Sequence, residues 1–238
     1  MLENIKVEDI MFLDIETVPQ ESTFENVSDE MQLLWQKKSE YFRGDDETAA
    51  DVYGRAGIYA EFGKIVCISV GVVSARGGKR IFRVKSFAGD NEKVLLEDFG
   101  HMLSQFARDM HKNICGHNAK EFDFPYIARR MLINGVKLPA ILDVAGKKPW
   151  EVKFLDTMDM WKFGDYKHYT SLNLLTTIFN IPSPKDDIDG SQVASVFYEE
   201  NDVERIARYC EKDVLATAQL FLRFKGDDLI DEDAVEHA

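Results

Sequence analysis

The stretch Ile10-Met11-Phe12-Leu13-Asp14-Ile15-Glu16-Thr17 decides how the rest of the chain is read. Apolar residues at 10 to 13 and at 15 predict a buried β-strand. Two carboxylates, Asp14 and Glu16, stand two residues apart within it. Side chains alternate along a strand, so positions i and i+2 share a face. Adjacent acids on a buried strand repel each other and resist ionisation unless a cation compensates them. An Asp-x-Glu at a strand end is common by itself, so the meaning of this pair rests on residues much further along the chain.

Around that strand, 238 residues suit one α/β domain carrying an insertion. A hydrophobic content of 45% is enough for a full core, and no apolar run has the length of a bilayer span. Three cysteines, Cys67, Cys115 and Cys210, are far apart and set among apolar residues. They read as reduced core thiols of a cytoplasmic protein. The net charge of −13 argues against a broad basic face that coats nucleic acid. It leaves room for a site where divalent cations supply the positive charge.

Downstream, residues 20–62 read as an insertion between the first two strands. Its middle has helical spacing through Met31, Leu34, Trp35 and Tyr41. Its position beside the strand that carries the acids suggests a mobile lid. Lys64 to Val73 and Arg80 to Phe87 are β-rich runs joined by Ser-Ala-Arg-Gly-Gly, a hairpin signal. A helix capped by Asp90 comes next, then a strand over Asn113 to His117 and a helix from Phe122 to Asn134. Val152 to Asp156 reads as the last strand, Ser171 to Asn180 as a helix stopped by Pro182 and Pro184, and Gln192 to Glu199 as a short helix. A long helix runs from Asp202 to Lys225, with Gly226 past its end. The order predicts a mixed five-stranded sheet, an antiparallel meander and then parallel strands, with helices on both faces. One domain spans 1–225, and the acidic residues 226–238 read as a solvated or frayed tail.

Two later blocks answer the first pair of acids. In Gly116-His117-Asn118-Ala119-Lys120-Glu121-Phe122-Asp123 a strand ends and Asp123 falls in the first helical turn, where the dipole favours an acid. In Tyr209-Cys210-Glu211-Lys212-Asp213, Tyr209 and Asp213 are four residues apart and share a helix face. That face also carries Ile206 and the run Ala216 to Gln219, so it points inward. An inward Asp without a basic residue at matching spacing is either protonated or bound to a metal.

Taken together, Asp14-Ile15-Glu16, then Asn118 with Phe122-Asp123, then Tyr209 with Asp213 resemble the three motifs of the DEDD 3′→5′ exonucleases. The likeness is to the tyrosine subtype of the DnaQ-like, RNase H-like fold. It is greatest to predicted exonucleases related to the proofreading domain of family-B DNA polymerases. Arg208 stands where the histidine subtype carries its histidine. The resemblance implies that Asp14, Glu16, Asp123 and Asp213 hold two Mg²⁺ or Mn²⁺ ions, hard cations suited to open carboxylate sites. It implies that Tyr209 orients the attacking water, and that Asn118, Phe122 and Thr17 contact the terminal nucleotide. The expected substrate is the 3′ end of single-stranded DNA. RNA is the alternative, and a silent binding module of the same fold is the non-enzymatic one.

The remaining candidates carry two readings each. Lys147, Lys148, Lys153, Lys162 and Lys167, interleaved with Trp150, Trp161, Tyr166 and Tyr169, suit a strand-gripping loop or a solvated loop with packed aromatics. His117 reads as a satisfied structural histidine. Asp156 and Asp159 read as turn and helix caps around Thr157, and Asp189-Gly190 as a turn.

Overall fold

The alternation read in the first strand is realised as β1 (Ile10–Pro19), which pairs antiparallel with β2 (Gly63–Arg76). β2 turns into β3 (Lys79–Ala88) through Gly77-Gly78, both at positive φ, 60° and 82°, so that Arg76 pairs directly with Lys79. Positive φ at both central residues gives the turn whose twist matches a two-residue hairpin, and glycine adopts it at no steric cost. The computed structural model describes residues 2–165, 169–182 and 188–238. Tyr166, Lys167 and Pro184 therefore lie outside the described residues.

From β3 the chain passes through α2 (Glu92–Phe106) to β4 (Asn113–Gly116), parallel to β1 on its other side. α3 (Asp123–Ile133) leads to β5 (Phe154–Asp156), parallel to β4. Before α2 lies α1 (Asp29–Ser39), within the insertion. After β5 come α4 (Thr157–Lys162), α5 (Leu172–Ile178), α6 (Val193–Ser195) with a π-helical turn over Val196–Glu200, and α7 (Val203–Lys225). The caps explain the boundaries. Asn91, not Asp90, caps α2 by accepting from Val94 N, while Ser171 caps α5 and Asp202 caps α7. Gly226 closes α7 in the left-handed conformation.

The expected count of five strands is corrected to six among the described residues, in the order β5-β4-β1-β2-β3-β6. β6 (Val235–His237) comes from the segment expected to fray, and pairs parallel with β3. The acidic run is held by specific partners. Arg80 binds Asp227 at 2.8 Å, Ile230 is buried, and the Gln219 side chain exchanges hydrogen bonds with both Ile230 N and Ile230 O. The resulting mixed sheet, with helices on both faces, is RNase H-like.

Alternation along β1 divides the core. Met11, Leu13 and Ile15 face α2 and α3, packing with Leu96, Phe99, Ile127 and Met131. Ile10 and Phe12 face α7, packing with Val214, Ala218 and Phe221. Val18 continues that second face against Ile206 and Cys210. Asp14 and Glu16 fall between Phe12 and Val18, so the pleat directs them toward α7.

The insertion over 20–62, expected to form a mobile lid, has a core of its own. Trp35 is fully buried, donates from Nε1 to Ala49 O at 2.9 Å, and packs its ring against Phe42, Tyr53, Tyr59 and Phe62. This unit is fastened to the main domain by side chains of α3, and Tyr198 Oη donates to Gln20 O where it begins. Tyr126 Oη donates to Gly57 O, and Arg130 donates to Ala60 O while forking onto the buried Glu92 carboxylate. A Cβ at Gly57 would sit 3.0 Å from the Val18 carbonyl carbon, so the absent side chain lets the insertion lie directly on β1.

Candidate active site

The site forms where β1 outruns its neighbour. β4 pairs with β1 only over Ile10 to Phe12, and past that point the Ile15 N–H is taken up by Asp123 Oδ1 at 3.1 Å. Asp123 opens α3, so a helix terminus that satisfies a strand edge also brings a third acid to the first two. Gly116 makes the approach feasible. A Cβ there would lie 2.4 Å from Ala119 Cβ and 3.1 Å from Leu13 O. The chain then reverses through Asn118 in the left-handed region, φ 62°, a conformation that asparagine tolerates better than most residues.

Asp156 holds this reversal in place. Its buried carboxylate accepts from Asn118 N at 2.9 Å and Lys120 N at 3.0 Å, and also caps α4 through Met158 N. The capping role read from the sequence is thus one part of a larger tie between β5 and the β4–α3 loop. His117 is satisfied on both ring nitrogens, by Thr157 Oγ1 at 2.9 Å and Thr170 O at 2.8 Å.

α7 supplies the opposite wall. Tyr209 and Asp213 are one turn apart, both half-buried, and the tyrosine hydroxyl is hydrogen-bonded to the Asp213 carboxylate. Between them Cys210, fully buried, donates to Asp14 O and Asp14 Oδ2, both at 3.4 Å. Potential ligand atoms of Asp14, Glu16 and Cys210 lie within 4.8 Å of one another.

These acids sit against apolar mass and against each other. Burial, then the charges of Asp123, Glu16 and Asp213, push the Asp14 carboxyl well above the usual range. Burial followed by Asp213 does the same to Glu16. Burial raises Asp123 to about 7, although its hydrogen bond from Ile15 N opposes the rise. Tyr209 is raised by burial and by Asp213, so its phenol stays protonated and acts as a donor. Among the described residues no lysine or arginine pairs with Asp14, Glu16 or Asp123. Carboxylates at Asp14, Glu16 and Asp123 with no lysine or arginine partner among the described residues, beside the Asp213 carboxylate, fit a divalent cation of the hard class.

Residues 58–236 match the family described as predicted 3′–5′ exonuclease related to the exonuclease domain of PolB. The chain belongs to this family. Membership supports a nuclease role and a nucleic-acid substrate, and the acidic cluster is one that a divalent ion can occupy. The match begins in the last turn of the insertion, so β1 with Asp14 and Glu16 lies ahead of it. No helix among the described residues is long and apolar enough to cross a membrane.

The fold brings Asp14, Glu16, Asp123, Tyr209 and Asp213 within electrostatic reach of one another. Asn118 and Phe122 border them on the β4–α3 loop. Asn118 Oδ1 is buried with no hydrogen-bond partner among the described residues, and Phe122 packs its ring on Tyr126. Thr17 hydrogen-bonds to the Tyr126 hydroxyl.

The strand-gripping reading of the basic loop is divided by the structure. Trp161 packs with Phe179 and Phe224, and Lys162 is held by Asp159 and Glu121. Lys153 donates to Met110 O, at the end of β5 opposite the acids. Cys210 escaped the sequence reading because an apolar setting made it a core thiol. Its spacing of three from Asp213 on one helix was the available signal.

Proposed function

We propose that this chain is a divalent-metal-dependent 3′→5′ exonuclease that hydrolyses the terminal phosphodiester of single-stranded DNA. The observation that carries the reading is that carboxylates from β1, α3 and α7 lie within electrostatic reach of one another, while Asp14, Glu16 and Asp123 have no lysine or arginine partner among the described residues. Asp14, Glu16, Asp123 and Asp213 would hold two Mg²⁺ or Mn²⁺ ions. When bound, such ions activate water for attack on phosphorus and stabilise the leaving 3′ oxygen.

The chain's own groups do the positioning. The Tyr209 phenol donates its one proton to Asp213, and its oxygen accepts from and orients the attacking water; its raised pKa disqualifies it as a base. Cys210 donates to one Asp14 oxygen and so fixes the orientation of that carboxylate. The unpartnered Asn118 Oδ1 supplies an acceptor for a donor on the terminal nucleotide.

The test uses 3′- and 5′-labelled single-stranded DNA and RNA with Mn²⁺, Mg²⁺ or EDTA, beside Asp14→Ala. Metal-dependent shortening from the 3′ end of DNA, abolished in the variant, is the expected result. Preference for RNA would replace the substrate. Cleavage of neither by folded protein would overturn the enzymatic reading in favour of a binding module.

A further inference from the structure

Tyr169 is the aromatic of the basic loop whose surroundings point to the site. Its phenol is influenced by Asp123, Asp14 and Asp213, which raise its pKa after burial has done so first. The residue as a whole nevertheless stays 67% exposed. A tyrosine serving the core would bury its ring and leave the hydroxyl near water. Here most of the residue lies open while its phenol remains within electrostatic reach of the carboxylates.

The backbone next to Tyr169 is tied to the site's own frame. The Thr170 carbonyl accepts from His117 Nε2 at 2.8 Å. A carbonyl only accepts, so Nε2 carries the proton in the neutral ring and Nδ1 accepts from Thr157 Oγ1 at 2.9 Å. Burial holds His117 below the usual histidine range, which preserves that neutral form. His117 is the neighbour of Asn118, and Thr157 directly follows Asp156, which ties Asn118 in place. One residue past Thr170, Ser171 caps α5 and the chain turns away. The peptide that follows Tyr169 is thus tied by His117 to the loop that carries Asn118, and His117 is itself held by Thr157.

We propose that Tyr169 is a substrate-positioning residue that stacks on the 3′-terminal base, and that His117 positions it through Thr170. The inference rests on the proposed exonuclease reading. An exposed aromatic face at the entrance of a carboxylate site offers what any terminal base supplies, a π-face, and so places the end of the strand without selecting sequence. The face that stacks is separate from the acids, so its loss reduces binding and leaves the chemistry intact.

The test compares a single-stranded oligothymidylate with the same strand ending in an abasic residue. Turnover is measured in Mn²⁺, and affinity by fluorescence anisotropy in Ca²⁺. Tyr169→Ala should raise KM and Kd for the normal end about 10-fold with kcat nearly unchanged, and should leave the abasic end unaffected. Tyr169→Phe keeps the ring and should behave as the parent. His117→Ala should reproduce the Tyr169→Ala pattern in part, and His117→Gln, which retains a donor toward Thr170 O, should restore it. Equal losses on both ends, or no loss on the normal end, overturn the inference. A parent that binds DNA with Tyr169-dependent affinity but cleaves nothing would refute the exonuclease reading alone.

Discussion

Replacing Asp123 by asparagine separates the electrostatic cost of the cluster from its hydrogen bonding. An asparagine Oδ1 still accepts from Ile15 N, which now bonds Asp123 at 3.1 Å, so the variant keeps the geometry and removes one titratable acid. The Asp123 carboxyl rises from 3.8 to about 7, chiefly through burial. An acid whose folded pKa exceeds its unfolded one binds more protons when folded. Stability of the metal-free protein therefore falls as pH rises from about 4 to about 7, and stays low above that. At about 1.4 kcal/mol per pH unit, the cost at this one group is on the order of 4 kcal/mol at pH 8 and less than half of that at pH 5. In EDTA, Asp123→Asn should melt higher than the parent at pH 8, by as much as roughly 8–16 °C for a chain of this size. At pH 5 the gain should shrink to less than half. Mn²⁺ should then raise the melting temperature of the parent more than that of the variant. Differential scanning calorimetry at both pH values, with and without metal, reads all of this. No gain at pH 8 in EDTA, or the same gain at both pH values, would refute the reasoning.

Single contacts have consequences of their own. Arg130→Met should cost about 3–5 kcal/mol in urea unfolding, because it strands the buried Glu92 charge. Adding Glu92→Gln, which keeps an acceptor for Ile65 N, should recover part of the loss. Deleting residues 227–238 should lower stability by about 3 kcal/mol, from the lost burial of Ile230 and the unpaired Gln219 amide. The same deletion uncovers the β3 edge, so light scattering should detect self-association. Gly116→Ala should cost about 1–3 kcal/mol, because its Cβ meets Ala119 and Leu13 O. If the proposed function is right, it should also lower kcat, since the displaced loop carries Asn118 and leads to Asp123.

Local pattern was enough to determine much of this protein. The period-two alternation of β1 placed Asp14 and Glu16 on one face, and the four-residue spacing of Tyr209 and Asp213 placed them on another, because those repeats are properties of single elements. The Gly77-Gly78 hairpin, the helices that begin near Ser171 and Asp202 and the Gly226 stop were legible for the same reason. The β4–α3 loop was legible only as a motif. That Asp123 reaches the other acids depends on β1 extending past β4 and leaving Ile15 N–H to be satisfied, which is a matter of pairing register. Tertiary structure alone decided the fate of the two segments that composition described as mobile or frayed. Polar, acidic sequence predicts solvation, yet residues 20–62 close on Trp35 and residues 226–238 add a strand, because partners distant in the chain supply the apolar surface and hydrogen bonds. Tertiary structure likewise chose one aromatic among the loop's candidates. Trp161 packs against Phe179 and Phe224, whereas the peptide beside Tyr169 is held at the loop that carries Asn118 by a histidine from another strand end. Spacing within one element is written in the sequence; contact between elements is settled by which faces the folded sheet has left to cover.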